Sequence, residues 1–281
     1  MRVFRLFLLP ILLVTTAACT FAAPAKQTYK EPSRIVSLSP SITEMLFAVG
    51  LGPRVVGDTT SCDYPPAAKA LPKIGGVVTN YERVIALHPD LVVADSVANG
   101  AAVIQLKRFP VKVLAVSALD YFGTERALET LGEATGSLDR AKLVIRKMEA
   151  QRLRAAAIAA KDRGPAPRVL IVIGADPLWT AGMQTYIGDL ITRAGGVNVA
   201  ASIGTYAQYS REAVLAAQPD VILVDAVDRA AFLKDPAMRA LAAVKSGRIY
   251  TLPDANTVMR PGPRLGDGLI AIAQLLHPGP K

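Results

Sequence analysis

The stretch of sequence that decides the fold occurs twice in this chain. Residues 82–95 read ERVIALHPDLVVAD, and residues 212–225 read EAVLAAQPDVILVD. The two copies align without a gap at an offset of 130 positions, and six of the fourteen aligned residues are identical. Each copy predicts a helix, a Pro-Asp turn and a buried strand. An offset this long indicates two similar lobes and excludes a solenoid, whose repeats span about 20 to 50 residues.

Short apolar runs alternate with helices along the rest of the chain. Residues 34–38 and 168–172 are the candidate first strands of the two lobes. The alternation predicts crossover connections, so the predicted fold class is α/β, with two Rossmann-like lobes built on mostly parallel sheets. Ser41 and Glu44 have the spacing of a capping box, which predicts that Ser41 caps the first helix.

A region of high helix propensity connects the lobes. Residues 137–163 contain no glycine or proline and are rich in Ala, Leu, Lys, Arg and Glu. They predict one rigid helix of 27 residues, which would be roughly 40 Å long at about 1.5 Å per residue. The predicted organisation is an N-terminal lobe over 33–123, linker helices over 124–164 and a C-terminal lobe over 165–281.

Residues 1–23 predict a signal peptide. Two arginines precede a nine-residue apolar run, and small residues follow, which is the order of a secretory signal. The mature protein is therefore expected in the periplasm or at the cell surface. Cys19 could carry a lipid anchor, but Thr16 stands where lipoprotein signals usually have an aliphatic residue, so cleavage near 22–25 is favoured. Cys62 then remains as the one cysteine, and no internal disulfide is expected.

Composition narrows the functional classes. Hydrophobic residues make up 51% of the chain and charged residues 20%, which indicates a globular protein. The net charge of +9 comes from Lys and Arg residues that are not interleaved with aromatics, so no nucleic-acid partner is predicted. The chain has two histidines and no Gly-x-Ser-x-Gly motif. A non-enzymatic binder is favoured, and an exported α/β hydrolase is the alternative from another class.

Several segments, in order along the chain, resemble one known family. They are RIVSLSPSITE at 34–44, CDYPP at 62–66, LPKIGG at 71–76, AGGVN at 194–198 and RPGPR at 260–264, together with the two repeats. This set is similar to the class III periplasmic binding proteins of ABC importers for vitamin B12, haem and ferric siderophores. Cobalamin binders are the most similar branch.

The resemblance implies a ligand held in a cleft between two lobes and a monomer that docks on an ABC permease dimer at the inner membrane. The implied ligand is cobalamin or a related corrinoid, with haem or a ferric siderophore as the alternative, and no catalytic cofactor is implied. Arg260 is the predicted partner of a ligand phosphate or propionate. The predicted ligand-binding residues are Ser61, Tyr81, Trp179, Tyr209, Asn256 and Arg260.

The chain departs from cobalamin binders at two aromatic positions. Ser61 and Gly76 stand where those proteins carry Tyr and Trp, so two stacking surfaces are missing. Tyr81, Tyr206 and Tyr209 lie on predicted loops near the cleft and could replace that surface. Tyr81 or Tyr209 would bind the iron if the ligand were haem. The alternative is that these tyrosines are half-buried packing residues.

Glu82 and Glu212 occupy equivalent positions in the two repeats. Each follows a good N-cap residue by two positions, Asn80 and Ser210 respectively. The residues alone favour a helix-stabilising role, worth about 0.3 to 1 kcal/mol at an exposed site. The resemblance adds a second role, because similar glutamates in the family contact arginines on the two permease subunits. Charge complementarity of this kind fixes the register of a complex and speeds its formation.

Overall fold

The computed structural model describes residues 31–279, so the predicted signal peptide over 1–23, with Cys19, lies outside the described residues. Within 31–279 the chain forms two four-stranded parallel sheets and one small antiparallel sheet. The predicted α/β class with two lobes is confirmed. No helix in this part of the chain is long and apolar enough to cross a membrane.

The N-terminal lobe is built on one parallel sheet with strand order β2-β1-β3-β4. Its elements are β1 (Ile35–Ser37), α1 (Pro40–Ala48), β2 (Val55–Gly57), α2 (Tyr81–Ala86), β3 (Leu91–Asp95), α3 (Gly100–Leu106) and β4 (Val113–Val116). Two linker helices follow, α4 (Tyr121–Thr135) and α5 (Leu138–Ala159).

The C-terminal lobe repeats this arrangement, with a parallel sheet in the order β11-β10-β5-β8 and an antiparallel sheet in the order β6-β7-β9. Its strands are β5 (Arg168–Val172), β6 (Gly174–Ala175), β7 (Leu178–Ala181), β8 (Val197–Asn198), β9 (Tyr206–Gln208), β10 (Val221–Val224) and β11 (Ile249–Thr251). Its helices are α6 (Tyr186–Arg193), α7 (Arg211–Ala217), α8 (Ala226–Phe232), α9 (Pro236–Ala240), α10 (Ala242–Lys245), α11 (Asn256–Met259) and α12 (Leu265–Leu276).

The two sequence repeats occupy the same place in the two lobes. β3 pairs with β1 and β4, and β10 pairs with β5 and β11. The Pro-Asp turn before each strand is tied to the start of its neighbour: the backbone amide of Arg34 donates to Asp90 over 3.0 Å, and that of Arg168 donates to Asp220 over 2.8 Å. The identical aspartates are therefore explained by one structural role in both lobes.

The predicted capping box at Ser41 is wrong. The N-cap lies two residues earlier, at Ser39, so α1 begins at Pro40, and Ser39 Oγ accepts a hydrogen bond from the Ile42 amide over 3.4 Å. Proline is favoured at the first helical position, because the amide it lacks would have no partner there. Glu44 therefore lies inside the helix and is almost fully buried.

The linker helix is shorter than predicted. α5 covers 22 residues, from 138 to 159, where the sequence predicts a helix over 137–163. Gly136 ends α4 in the left-handed conformation, with φ of 71°. At the other end Asp162 accepts a hydrogen bond from the Gly164 amide and contacts His277 Nδ1 over 2.9 Å. These contacts hold the chain in a turn where the sequence predicts helix.

A test of the linker uses Gly132, where α4 meets α5. A Cβ at this position would lie 2.8 Å from Ala141 Cβ and 2.9 Å from Leu138 Cα. We expect Gly132→Ala to lower the free energy of unfolding in urea by about 1 to 3 kcal/mol, because the backbone of α5 cannot move aside cheaply. The control is Gly100→Ala, since no atom lies within 4 Å of a Cβ there. Equal stability of the two variants would contradict this tight packing.

Candidate functional site

A cavity of about 620 Å³ opens between the two lobes. It lies at the carboxyl ends of the parallel strands, where open α/β sheets bind ligands, and its volume is within the range of small-molecule sites. From the N-terminal lobe the lining includes Ser39, Ser41, Ser61, Asp95, Val97 and Leu119. From the C-terminal lobe it includes Gln184, Thr185, Tyr186, Tyr206, Met259 and Arg260.

Apolar and aromatic side chains form much of the cavity wall. Val97 and Leu119 are more than half exposed, although both are large apolar residues. The rings of Tyr186 and Tyr206 meet edge to face, with centroids 6.4 Å apart and planes at 62°. The Tyr186 hydroxyl donates to the Met259 carbonyl over 2.7 Å, which fixes this ring. The wall therefore offers an apolar surface of defined shape to a ligand.

The two tyrosines of the cavity have pKa values above that of an ordinary phenol. Burial raises the pKa of Tyr186 well above that of an ordinary phenol, and it raises the pKa of Tyr206 as well. The carboxylate of Asp95 adds to both shifts. Asp95 is itself held at the end of β3, where its Oδ1 accepts hydrogen bonds from the amides of Val97 and Ala98, both at 2.8 Å.

A cluster of ion pairs joins the lobes beside the cavity. Glu44 in α1 accepts two hydrogen bonds from Arg264 near the start of α12, from Nε and Nη2, each at 2.8 Å. Arg260 Nη1 donates to the same carboxylate over 3.2 Å. The Glu44 side chain is 1% exposed. Its hydrogen bonds raise the pKa of Arg264 above the usual arginine value.

Two further carboxylates, both about half exposed, pair with the arginines of this cluster. Asp63 accepts a hydrogen bond from Arg260 Nη1 over 2.6 Å, and Asp254 accepts one from Arg264 Nη1 over 2.7 Å. Arg260 also donates to the carbonyl of Ser61 over 3.3 Å. Hydrogen bonding to Arg260 lowers the pKa of Asp63. Both arginines of the RPGPR segment are therefore engaged by protein carboxylates.

The structure brings only part of the predicted ligand-binding set to the cavity. Ser61 and Arg260 line it, whereas the lining drawn from residues 31–279 does not include the other four. Tyr81 begins α2 and packs on the apolar core of its lobe. The Tyr209 hydroxyl donates to the backbone carbonyl of Val199 over 3.4 Å. Trp179 lies in β7 of the small antiparallel sheet, and Asn256 is the first residue of α11. Tyr206, a predicted loop tyrosine, does line the cavity.

Sequence reasoning missed Val97, Leu119, Tyr186 and Met259. A signal for the first two was present, because residues 96–98 and 117–119 directly follow the predicted third and fourth strands. The rule that ligands bind beyond the carboxyl ends of parallel strands would have selected these loops. Tyr186 and Met259 carry no such local signal, since each lies in a helix and only packing turns it toward the cavity.

Glu82 and Glu212 have the predicted local geometry. The Asn80 side chain accepts from the backbone amide of residue 83 over 3.0 Å, and Ser210 Oγ accepts from that of residue 213 over 3.1 Å. Both N-caps are thereby confirmed. Both glutamates are exposed, and neither has a hydrogen-bond or ion-pair partner among the described residues 31–279.

Comparison with known proteins agrees with this two-lobed architecture. A family model described as periplasmic binding protein matches residues 35–255. The chain belongs to this family.

Individual relatives are similar over most of this chain, and the names of two of them state a ligand. The uncharacterized ABC transporter substrate-binding lipoprotein YvrC of Bacillus subtilis is 35% identical over 257 residues, which cover 89% of this chain and 81% of that protein. A cobalamin-binding protein of Halobacterium salinarum is 30% identical over 264 residues, 88% of this chain and 70% of that protein. A periplasmic haem-binding protein from Pseudomonas aeruginosa superposes with a TM-score of 0.80 at 32% identity, covering 89% of this chain and 94% of its own.

The importance of Glu44 can be measured directly. We expect Glu44→Gln to lower the free energy of unfolding by about 3 kcal/mol or more, because it leaves two largely buried guanidinium groups without their shared carboxylate. Asp254→Asn removes a carboxylate that is 50% exposed from the same cluster, and it should cost less than about 1 kcal/mol. Urea unfolding of both variants tests the difference. Equal losses would show that the buried pair does not stabilise the lobe contact.

Proposed function

We propose that this periplasmic binding protein captures a metal tetrapyrrole, cobalamin or a related corrinoid, in the cavity between its lobes. The protein is the substrate-binding component of an ABC importer, and it delivers this ligand to the membrane permease. The observation that carries the proposal is the inter-lobe cavity, which combines an apolar wall with a rim of neutral hydrogen-bonding groups.

The chemistry of the lining fits a corrinoid. Val97, Leu119 and Tyr206 can cover the flat, partly apolar face of such a ligand. Hydroxyl and amide side chains surround them, namely Ser39, Ser41, Ser61, Gln184, Thr185 and Thr205. These groups both donate and accept hydrogen bonds, as the peripheral amides of a corrin ring do. The cobalamin-binding protein of Halobacterium salinarum supports the same ligand class.

Haem is the second candidate, and the position of Tyr206 in the cavity lining favours it. A phenol at the cavity wall can bind ferric iron once it has lost its proton. Burial raises the pKa of Tyr206 and so favours the neutral phenol. Haem binding through this residue would therefore strengthen as the pH rises. The sequence alternatives Tyr81 and Tyr209 lie outside the cavity lining, and a ferric siderophore remains a third alternative.

The proposed setting is outside the cytoplasmic membrane. Export through the signal at residues 1–23 would place the protein in the periplasm or at the cell surface, where it would act as a monomer. Cleavage near 22–25 is the favoured route, and lipid attachment at Cys19 is the alternative. We assign no catalytic residue to the site.

Calorimetry with cyanocobalamin tests both the identity of the ligand and the location of its binding site. We expect one ligand per monomer, and Tyr206→Ala should weaken binding by about 2 kcal/mol, or roughly 30-fold, as the loss of an aromatic anchor commonly does. Trp179→Ala is the matched control, because Trp179 is 38% exposed and Tyr206 is 40% exposed. Although the sequence predicts that Trp179 contacts the ligand, its position outside the cavity lining means that affinity should stay unchanged.

Three results would change these assignments. Equal losses in the two variants would place the ligand outside this cavity. Tight binding of haemin together with no binding of cyanocobalamin would select the second candidate. Binding of neither ligand would refute the proposed ligand class.

Glu82 and Glu212 are the proposed contacts with the permease. Each carboxylate is exposed at the second position of a helix that precedes the Pro-Asp turn, and the two lobes present it in equivalent surroundings. A two-subunit permease can offer two equivalent cationic partners to such a pair. The helix-stabilising role alone does not require both residues to be repeated, since many side chains tolerate that position.

The double variant Glu82→Ala with Glu212→Ala tests the docking role. Cyanocobalamin affinity in solution should stay unchanged, while permease-dependent uptake should be lost, because complementary charge guides and orients the complex. Glu133→Ala with Glu149→Ala removes two exposed carboxylates from the linker helices and should leave uptake intact. Normal uptake by the first double variant would return both glutamates to helix stabilisation.

A further inference from the structure

We propose that Asp63 sets the charge class of the ligand. By pairing with Arg260 it makes the cavity reject tetrapyrroles that carry free carboxylates and admit those whose acid groups are amidated. This inference rests on the proposed function, because it concerns selection among tetrapyrroles at the same cavity.

The cavity offers a single cation to an acidic ligand. Among the lining residues within 31–279, Arg260 is the one basic side chain. Its guanidinium is 13% exposed, and Asp63 is its nearest carboxylate, at 2.6 Å against 3.2 Å for Glu44. The pair holds the pKa of Asp63 below its usual range, so Asp63 is ionised at neutral pH.

The charges around Arg260 are more than balanced within the protein. In the cluster beside the cavity, the two guanidinium groups of Arg260 and Arg264 face the three carboxylates of Glu44, Asp63 and Asp254. Glu44 is engaged on both oxygens by Arg264, so Asp63 is the carboxylate that chiefly compensates Arg260. Asp95 adds another negative charge to the cavity lining. Lys69 also acts on Asp63 through its charge, but it does not line the cavity. An incoming carboxylate thus meets no uncompensated cation among the lining residues within 31–279.

The two candidate ligands differ in the charge that they bring to this cavity. Haem carries two propionates, and both would be partly desolvated in a cavity lined by Asp95, where the one lining cation, Arg260, is already paired with Asp63. The acid side chains of a corrin ring are amides, which the hydroxyl and amide side chains of the lining can hydrogen-bond at no cost in charge. The one anion of cobalamin, the phosphodiester of its nucleotide loop, is compensated within the ligand by the cobalt centre. Selectivity by like-charge repulsion needs no loss of contacts with the preferred ligand.

The position of Asp63 suits such a role. Its side chain is 47% exposed, and Arg260 keeps its hydrogen bond to Glu44 when the charge of Asp63 is removed. Asp254 is a suitable control residue for Asp63, because its side chain is 50% exposed and forms the same kind of ion pair with Arg264. Arg264, unlike Arg260, is not among the cavity-lining residues. A change at Asp63 therefore alters both the ion-pair cluster and the cavity, whereas a change at Asp254 alters the cluster alone.

The experiment compares haemin and cyanocobalamin by absorbance titration of the wild type, Asp63→Asn, Asp63→Glu and Asp254→Asn. We expect Asp63→Asn to tighten haemin binding by about tenfold or more, since it releases the Arg260 charge for a propionate. Cyanocobalamin affinity should change by less than about threefold, which also shows that the variant is folded. Asp63→Glu and Asp254→Asn should keep the wild-type preference.

Each other outcome has a defined meaning. If Asp63→Asn leaves haemin affinity unchanged, or shifts it no more than Asp254→Asn does, the selective role is refuted and the proposed function stands. If the wild type already binds haemin more tightly than cyanocobalamin, the role is refuted and haem becomes the ligand. If no variant and no wild-type protein binds either tetrapyrrole, the proposed function fails and this inference falls with it.

Discussion

The buried ion pair between Glu44 and Arg264 is the constraint on which the arrangement of the two lobes depends. The carboxylate comes from the first helix of the N-terminal lobe, and the guanidinium comes from the segment before the last helix of the C-terminal lobe. An ion pair removed from water is favourable only when its geometry is good and its remaining polar atoms are satisfied. Here Arg260 and Asp254 supply the additional hydrogen bonds. These contacts favour the relative position of the lobes seen in this structure.

This cluster also shapes the cavity, because Arg260 belongs to both. The carbonyl of Ser61 and the carboxylate of Asp63 hold the guanidinium at the cavity wall. A change in the separation of the lobes would break these contacts and alter the charge that a ligand meets. Lobe position and the proposed selection of the ligand are therefore physically linked through Arg260. The linker also opposes changes in the separation of the lobes, because α5 contains no glycine or proline at which it could bend.

A fixed separation of the lobes would also serve the proposed docking on a permease. Glu82 and Glu212 lie on different lobes, so the distance between them is set by the inter-lobe contacts and the linker helices. Two charges can contact two fixed partners together only if that distance varies little. The internal duplication explains why equivalent carboxylates exist, and the ion-pair cluster would limit changes in the distance between them.

The sequence by itself determined the two α/β lobes, the Asn80 and Ser210 caps and the helical linker, because periodicity, capping and repetition are local properties of the chain. It also selected Ser61 and Arg260 through family likeness. Only the tertiary structure decided that Glu44 pairs with Arg264, which lies 220 positions away. It likewise decided that Tyr186 and Tyr206 face the cavity while Tyr81 and Tyr209 pack elsewhere. Side-chain direction at a loop or helix end follows from long-range packing, and no local pattern records it.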